Sequence, residues 1–508
     1  MIVEDLILTL ERSGRARAKP CHRQIYEQIR SSILSGRLQP GDRLPATRNL
    51  AHQLGLARNT VARAYDDLVA EGYLESQVGS GTRVSPALAK EPSLSEAGAR
   101  VTVASRSGSF SLSSWAQRAL SQPADDKLAG NLLFDFRPGI PDWDSFPRTM
   151  WLRILGRALR EERVELARYG EPGGYLPLRQ AIARHLAISR GVSARAEQVI
   201  IVSGAQQALD LLIRLRLDEG DQVAMEDPGY PEARLAFQAA GASVIPLPVD
   251  DEGLVVDRLT GKEAAERPPR LVYVTPSHQF PTGATLSLAR RLALLDWAGQ
   301  RDTLIIEDDY DSEFRYAGRP VESLQGLDRA GRVVYMGTFS TVLFPPFRVG
   351  YLVLPEELVN PLVQAKRLAD RQNATLEQIA LARFIEEGHF ERHLRRMRRL
   401  AAERRAALVA AIKEHLGVEV AAPETGMHLL LPLLRHRPRG AFPNARAMEE
   451  AIVARAAALG VGVYPLGPCC ARPLAEPSVV LGYAALPEGE IREGIRRLAQ
   501  VVKAIGVT

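Results

Sequence analysis

The sequence of 508 residues is poor in cysteine and in lysine. Its three cysteines, Cys21, Cys469 and Cys470, are too few for a disulfide framework or for a zinc site made of four thiolates. Only seven of the 65 basic residues are lysines, which leaves 58 arginines. The lysines stand at positions 19, 90, 127, 262, 366, 413 and 503. Any reaction that needs an ε-amine therefore has few candidate residues.

The sequence also lacks the apolar runs of membrane proteins. No apolar run approaches the roughly 18 residues of a membrane helix, and Glu4 and Asp5 stand where a secretion signal carries basic residues. A hydrophobic content of 46% with 25% charged residues is typical of a globular chain with a large core. The length predicts two or three domains. We therefore expect a cytoplasmic protein of several domains.

The N-terminal stretch predicts three short helices and a hairpin. One face of the first helix is formed by apolar residues four positions apart, Ile25, Ile29 and Ile33. Pro45 opens a second helix and Gly55 ends it. A third helix begins at Arg58, and its inner side carries Val61, Tyr65 and Leu68. A glycine-rich turn between two short strands then predicts a wing.

This arrangement is typical of a winged helix-turn-helix, in which the third helix enters the major groove of DNA. Arg58, Asn59 and Thr60 begin that helix, where side chains reach base edges. Arg43 and Arg48 lie just upstream and suit backbone phosphates. The N-terminal stretch is therefore predicted to bind an operator in double-stranded DNA.

Residues 38–84, LQPGDRLPATRNLAHQLGLARNTVARAYDDLVAEGYLESQVGSGTRV, resemble the DNA-binding domain of the GntR family of bacterial transcription regulators. The resemblance implies that five residues contact the operator: Arg48, Arg58, Asn59, Thr60 and the wing residue Gly79. We place this domain at residues 15–85. The Ser- and Ala-rich residues 86–130 are predicted to form a flexible linker, and residues 131–508 a second domain.

In the second domain, short apolar runs alternate with helical patterns, which predicts an α/β fold with a mostly parallel sheet and flanking helices. Several of its polar residues suit a phosphorylated pyridine aldehyde, pyridoxal phosphate. Backbone N–H groups near Ala205 and Gln206 suit the phosphate, and Tyr230 suits ring stacking. Asp308 suits a protonated ring nitrogen and Tyr310 the ring hydroxyl. Three further phosphate donors follow in the chain, Thr338, Ser340 and Arg348.

The order of these motifs resembles the fold-type I aminotransferases, and their fusion to a GntR-type head resembles the MocR subfamily of regulators. FDFRPGIPDWDSFP, ARYGEPGGYLPLR, TPSHQFPTG and HFERHLRRMRR stand where that subfamily carries similar motifs. The resemblance covers about residues 134–500. It implies a small-molecule effector and a head-to-tail homodimer with Tyr169 near the partner's site.

The sequence departs from this family at the residue that forms the Schiff base. The family motif Gly-Thr-Phe-Ser-Lys reads Gly-Thr-Phe-Ser-Thr here, so Thr341 replaces the lysine. Val480 stands where aminotransferases carry an arginine for the substrate carboxylate, and Arg234 and Arg472 are the nearest alternatives. No catalytic residue is therefore predicted. Any pyridoxal phosphate is expected to bind without a covalent link or as an adduct with an amine.

We interpret the chain as a regulator that senses a small amine, an amino acid or a vitamin-B6 compound. Two alternatives remain open: an aminotransferase with an incidental DNA-binding head, and a regulator whose sensor domain has lost pyridoxal phosphate. His389 and His393 have a spacing used by metal sites, but seven arginines lie between positions 392 and 405 and would repel a cation. No metal site is predicted.

Overall fold

A computed structural model describes most of the chain in two compact units, Met1–Ser111 and Leu112–Thr508. The residues it describes are 8, 19–77, 81–90, 110–123, 132–260, 267–316, 322–420, 424–433 and 442–505. The predicted wing contact Gly79 lies outside these residues.

The first unit contains the three predicted helices and the hairpin. They are α1 (Cys21–Leu34), α2 (Thr47–Leu54), α3 (Arg58–Ala70), β1 (Leu74–Gln77) and β2 (Gly81–Val84). The two strands are antiparallel, with Leu74 opposite Val84. Gly55 ends α2 in the left-handed conformation with φ +64°, which a residue without Cβ adopts without strain. The predicted inner residues are buried: Ile25, Ile29, Ile33, Val61, Tyr65 and Leu68.

The second unit is built from helices and strands that alternate along much of the chain. Its helices are α4 (Ser114–Leu120), α5 (Arg148–Glu161), α6 (Arg163–Leu166), α7 (Leu176–Arg190), α8 (Ala205–Arg216), α9 (Pro231–Ala239), α10 (Leu288–Gly299), α11 (Leu324–Leu327), α12 (Glu356–Ala369), α13 (Thr375–Glu386), α14 (His389–Leu416), α15 (Ala445–Ala458) and α16 (Glu488–Ala504). Its strands are β3 (Phe134–Asp135), β4 (Val199–Val202), β5 (Gln222–Asp227), β6 (Ser243–Asp250), β7 (Gly253–Leu254), β8 (Leu271–Val274), β9 (Leu304–Asp309), β10 (Val333–Thr338), β11 (Gly350–Val353), β12 (His428–Pro432), β13 (Val461–Gly462), β14 (Tyr464–Pro465) and β15 (Ser478–Gly482).

Eight of these strands form one large, mostly parallel sheet in the order β4–β11–β10–β9–β8–β5–β6–β7. Strands β10, β9, β8, β5 and β6 run parallel, whereas β11 is antiparallel to both of its neighbours. Val199 and Ile201 of β4 join one buried apolar cluster. Ile200 and Val202 join another. This period of two shows that both faces of the strand are covered, as the α/β prediction requires.

A second, antiparallel sheet lies towards the C-terminus, in the order β12–β15–β14. Its first strand begins at His428, which pairs with Gly482 of β15. Strands β3 and β13 form a separate parallel pair. Within the described part of the chain, we find no helix that is both long and apolar enough to cross a membrane.

The segment predicted as a linker, residues 86–130, contains helix α4. The Ser113 hydroxyl caps this helix by accepting the Ala116 N–H at 3.2 Å. Arg118 holds the helix to the second unit, because it donates to the Ala239 carbonyl at 3.0 Å and pairs with Glu219 at 2.8 Å. In this part, the structure differs from the prediction of a flexible linker, since a local cap and two long-range contacts fix the helix.

Candidate functional site

The candidate site lies where the parallel strands of the large sheet end. Gly204 follows β4, Tyr230 follows β5, Asp308 is the penultimate residue of β9, and Thr338 ends β10. Ligands of open α/β sheets bind at this carboxyl edge. Because β9 and β10 are neighbours, the sheet brings together side chains that are far apart in the sequence.

The predicted phosphate-binding groups meet at the start of α8. Gly204 precedes this helix with φ +95°, and the N–H groups of Ala205 and Gln206 belong to its first turn, where a helix has no internal acceptor. The Arg348 guanidinium lies against this turn, since a Cβ at Gly204 would be 3.1 Å from its Nη1 atom. A helix N-terminus beside a guanidinium is a suitable site for a phosphate.

A chain of polar side chains that sequence reasoning missed supports this turn. Asn373 donates to the Ser203 hydroxyl at 2.6 Å, and Gln207 accepts the Ser203 N–H at 2.7 Å. Gln207 also donates to Asp370 at 2.6 Å, and Asp370 pairs with the buried Lys366 at 2.7 Å. Asn373 lies 170 residues from Ser203, and Asp370 lies 163 residues from Gln207, so local pattern gave no signal for these two contacts.

The predicted partner of a ring nitrogen, Asp308, is a buried carboxyl. The Tyr273 hydroxyl donates a hydrogen bond to it. Burial raises the pKa of Asp308 to about 7, and the nearby carboxylates of Asp309 and Asp311 add to the rise, against the lowering effect of Tyr273. A carboxyl held at this pKa in an apolar site gains most from a positively charged partner, because such a partner offsets the cost of burying its charge.

Tyr230 lies between Asp308 and the turn at the start of α8 (residues 203–206), which we call the phosphate turn. Its hydroxyl is hydrogen-bonded by the Gln206 side chain, and its ring meets Phe280 edge-on at a centroid distance of 5.9 Å. Burial and the negative charge of Asp308 raise the pKa of its phenol, while Arg348 opposes the rise. The phenol is therefore neutral and lies near both Asp308 and Arg348, and its role in ring stacking stays a prediction.

The motif that contains Thr341 presents three hydroxyl groups. The Thr338 hydroxyl accepts the Ser340 N–H at 3.1 Å. The Ser340 hydroxyl is buried and, among the described residues, has no hydrogen-bond partner. Thr341 is 8% exposed and donates to the Tyr310 carbonyl at 2.7 Å. A buried hydroxyl without a partner is available for a hydrogen bond with a bound ligand, and its contact with a phosphate stays a prediction.

Tyr310 leads to a buried cluster that sequence reasoning missed. Its hydroxyl donates to the His278 carbonyl at 3.0 Å. The His278 ring is hydrogen-bonded to Asp311 at 2.9 Å and lies 4.7 Å from the His428 ring, measured between centroids. His278 stands in the quoted TPSHQFPTG motif, which was the available signal, but nothing in the sequence pairs it with His428.

A second buried carboxyl, Glu226, lies at the end of β5. It accepts both the N–H and the hydroxyl of Thr275, at 3.1 and 2.6 Å, and the Gln279 amide at 3.2 Å. Burial raises its pKa to about 7, although these three hydrogen bonds oppose the rise. It also contributes to the raised pKa of Asp308, so the two carboxyls are electrostatically coupled.

The two arginines considered for a substrate carboxylate have other partners. Arg234 donates to the carbonyls of Pro468 and Cys469. Arg472 donates to the Pro246 carbonyl at 2.9 Å. Arg234 therefore links α9 to the segment at Pro468 and Cys469, and Arg472 links its own loop to β6.

In the first unit, the predicted DNA contacts lie at and before the start of α3. Arg58 and Asn59 are exposed in the first turn of this helix, and Thr60 is half-buried. Arg43 and Arg48 are exposed as well. The first turn carries no acidic residue, so no like charge opposes the approach of phosphate to the helix N-terminus.

Comparison with known proteins shows which family each of the two units matches. Residues 22–84 match the family of bacterial regulatory proteins named gntR, and residues 148–498 match aminotransferase class I and II. The probable rhizopine catabolism regulatory protein MocR of Rhizobium meliloti is 41% identical over 490 residues, which cover 96% of this chain and 94% of that protein. The chain belongs to the MocR family of transcriptional regulators.

Other matches to this MocR-type regulator cover either nearly the whole chain or a large part of it. The pyridoxine biosynthesis transcriptional regulator PdxR of Corynebacterium glutamicum is 32% identical, covering 94% of this chain and 95% of that protein. The α-aminoadipate aminotransferase LysN of Thermus thermophilus, solved in complex with N-(5'-phosphopyridoxyl)-L-leucine, has a TM-score of 0.69 and 32% identity. The alignment of the two covers 78% of this chain and 97% of the LysN chain. The gntR-type head implies DNA binding, and the predicted fold-type I aminotransferase architecture is confirmed.

Proposed function

We propose that this regulator binds pyridoxal phosphate, or an adduct of it with an amine or amino acid, without a covalent link and without transaminase turnover. Thr341 carries the proposal: a hydroxyl that already donates to the Tyr310 carbonyl replaces the family's amine. Of the lysines whose side chains are described, only Lys366 is buried, and its ammonium pairs with Asp370. We therefore expect no amine to bond to the cofactor or to move a proton at a substrate carbon.

The retained residues would hold the cofactor by non-covalent contacts. The first turn of α8 and Arg348 would bind its phosphate together with the free Ser340 hydroxyl. Asp308 would accept a hydrogen bond from the ring nitrogen, and Tyr230 would cover the ring. When bound, pyridoxal phosphate supplies an electron sink, which these residues orient but do not drive. The two relatives that concern vitamin-B6 chemistry support this class of ligand.

An equilibrium titration with pyridoxal phosphate, followed by absorbance, tests the proposal on the full chain. Asp308→Asn should weaken binding by about 10–100-fold, because a charge-assisted hydrogen bond contributes about 1.5–3 kcal/mol. Asp302→Asn is the matched control: this exposed aspartate precedes the other end of β9 and pairs with Arg216 and Arg270. No binding by wild type would favour a sensor that has lost this cofactor, and equal affinities of Asp308→Asn and wild type would contradict the role given to Asp308.

We also propose a head-to-tail homodimer with Tyr169 near the partner's site. Tyr169 is 75% exposed, and the Arg371 guanidinium lies over its ring at 3.9 Å. Leu152 and Leu159 are exposed seven residues apart on α5 and leave an apolar stripe on that helix. Light scattering should give the mass of two chains, and a monomer at micromolar concentration would contradict this part of the proposal.

A further inference from the structure

Three buried side chains beside the candidate site form a group to which no role has been given. They are His278, Asp311 and His428, and each is 1% exposed. One nitrogen or oxygen atom from each lies within 4.8 Å of those of the other two. The residues come from three elements: the loop after β8, the turn after β9 and the first residue of β12.

Hydrogen bonds place the proton on Nδ1 in both imidazole rings, those of His278 and His428. Nδ1 of His278 meets the Asp311 carboxylate at 2.9 Å, so this nitrogen carries the proton. His428 donates a hydrogen bond to the Pro281 carbonyl. Its Nε2 and that of His278 are buried and have no hydrogen-bond partner among the described residues. Each ring therefore keeps a free lone pair on Nε2.

The hydrogen bonds of the two rings match those of metal-ligating histidines. An imidazole with a free Nε2 and a hydrogen-bond acceptor on Nδ1 is the usual arrangement of such a ligand. The contact between Asp311 and His278 matches the carboxylate–histidine pair that orients such ligands.

We propose that His278 and His428 bind a divalent transition-metal ion of the zinc class through Nε2. Asp311 orients His278, and the remaining coordination positions are filled by water or by a small ligand. Imidazole nitrogen is a preferred donor for zinc. The site does not depend on pyridoxal phosphate. It opposes the sequence prediction of no metal, which considered only the pair His389 and His393.

The backbone at Gly426 leaves room for the His278 ring of this cluster. Gly426 has φ +83°, and a Cβ there would collide with the His278 ring. A glycine is therefore required for this close approach. Since His428 belongs to the three-stranded sheet and His278 follows a strand of the large sheet, a bound ion would join the two sheets.

Zinc binding to the full chain, without a histidine tag and after treatment with a chelator, tests this inference. Asn in place of each histidine keeps a donor near Nδ1 and removes Nε2, so His278→Asn and His428→Asn each delete one ligand. His393→Gln is the matched control, because His393 is also buried, with Nε2 on the Val342 carbonyl and Nδ1 without a partner. Calorimetry counts the bound zinc, and cobalt absorbance reports nitrogen ligation.

Wild type and His393→Gln should each bind one zinc ion per chain at this site and gain thermal stability from it. Both Asn variants should lose this zinc ion and the increase in thermal stability that it gives, while they retain the wild-type circular dichroism spectrum. Asp311→Asn should bind zinc about 10–100-fold more weakly. Absence of the equivalent in wild type, its retention in both Asn variants, or its equal loss in His393→Gln would overturn the inference.

Discussion

Thr341 is the residue on which the chemistry of the second unit depends most. Its hydroxyl contacts the Tyr310 carbonyl, and the groups predicted to bind the phosphate, the ring and the ring nitrogen surround the same strand ends. Of the groups predicted to hold the cofactor, the amine of the Schiff-base lysine is the one that the sequence lacks. A single substitution should therefore change the mode of cofactor binding without rebuilding the site.

Thr341→Lys should attach pyridoxal phosphate covalently and give a yellow protein. Burial and the positive charge of Arg348 would lower the pKa of the introduced amine, which favours its reactive neutral form near neutral pH. Borohydride reduction followed by peptide mass spectrometry should place the cofactor at position 341. Thr341→Met is the control, with a chain of similar length and no amine. A folded Thr341→Lys variant without the reduced adduct would contradict the assigned position.

Glu226 should make the unliganded protein less stable as the pH rises. Its pKa is raised from 4.5 to about 7 in the folded chain. The unfolded chain therefore releases this proton first, and the stabilisation present below about pH 4.5 is lost as the pH rises through 7.

Glu226→Gln keeps an acceptor for Thr275 and removes this titration. Between about pH 5 and pH 8 it should gain up to about 3 kcal/mol of unfolding free energy relative to wild type. Urea denaturation at both pH values measures the difference. Glu232→Gln, at an exposed position in the first turn of α9, is the control and should show no such gain. Parallel pH profiles of Glu226→Gln and wild type would contradict the account.

At the scale of elements, helix α3 should carry most of the sequence-specific recognition of DNA. Arg58→Ala removes a side chain exposed in its first turn. If Arg58 reads a base, operator binding should weaken by about 1–3 kcal/mol and the preference at one position should flatten. An operator is first selected by the full chain from random DNA. Fluorescence anisotropy with this labelled DNA and its base-substituted versions then measures the affinity and the base preference. Arg23→Ala, on the surface of α1, is the control, and an equal loss there would remove the special role of α3.

The elements also show how far the placement of residues follows from the sequence. Asp308 and Thr338 were expected where apolar strands end, and Tyr230 on a turn. The structure has Asp308 and Thr338 at strand ends and Tyr230 just after β5, while their roles toward a cofactor stay predictions. Helix α4 was missed because the Ser-rich composition around it hid the Ser113 cap. The approach of His278 to His428 depends on how two sheets pack, which no local pattern encodes.

The whole molecule combines a gntR-type head with an aminotransferase-like unit in which Thr341 stands at the position predicted for the family's lysine. The head was predicted almost completely because its core residues repeat at helical spacing and lie close together in the sequence. The supports of the phosphate turn, such as Asn373 on Ser203, were not, because they join segments about 170 residues apart.

The most direct test of the account is the intact mass of the wild-type chain after saturation with pyridoxal phosphate and reduction with borohydride. The account predicts that the chain binds the cofactor at equilibrium, keeps its unmodified mass after reduction, and releases all of the cofactor on dialysis. A wild-type chain whose mass rises by one reduced pyridoxal phosphate would contradict it, because the protein would then supply an amine despite Thr341.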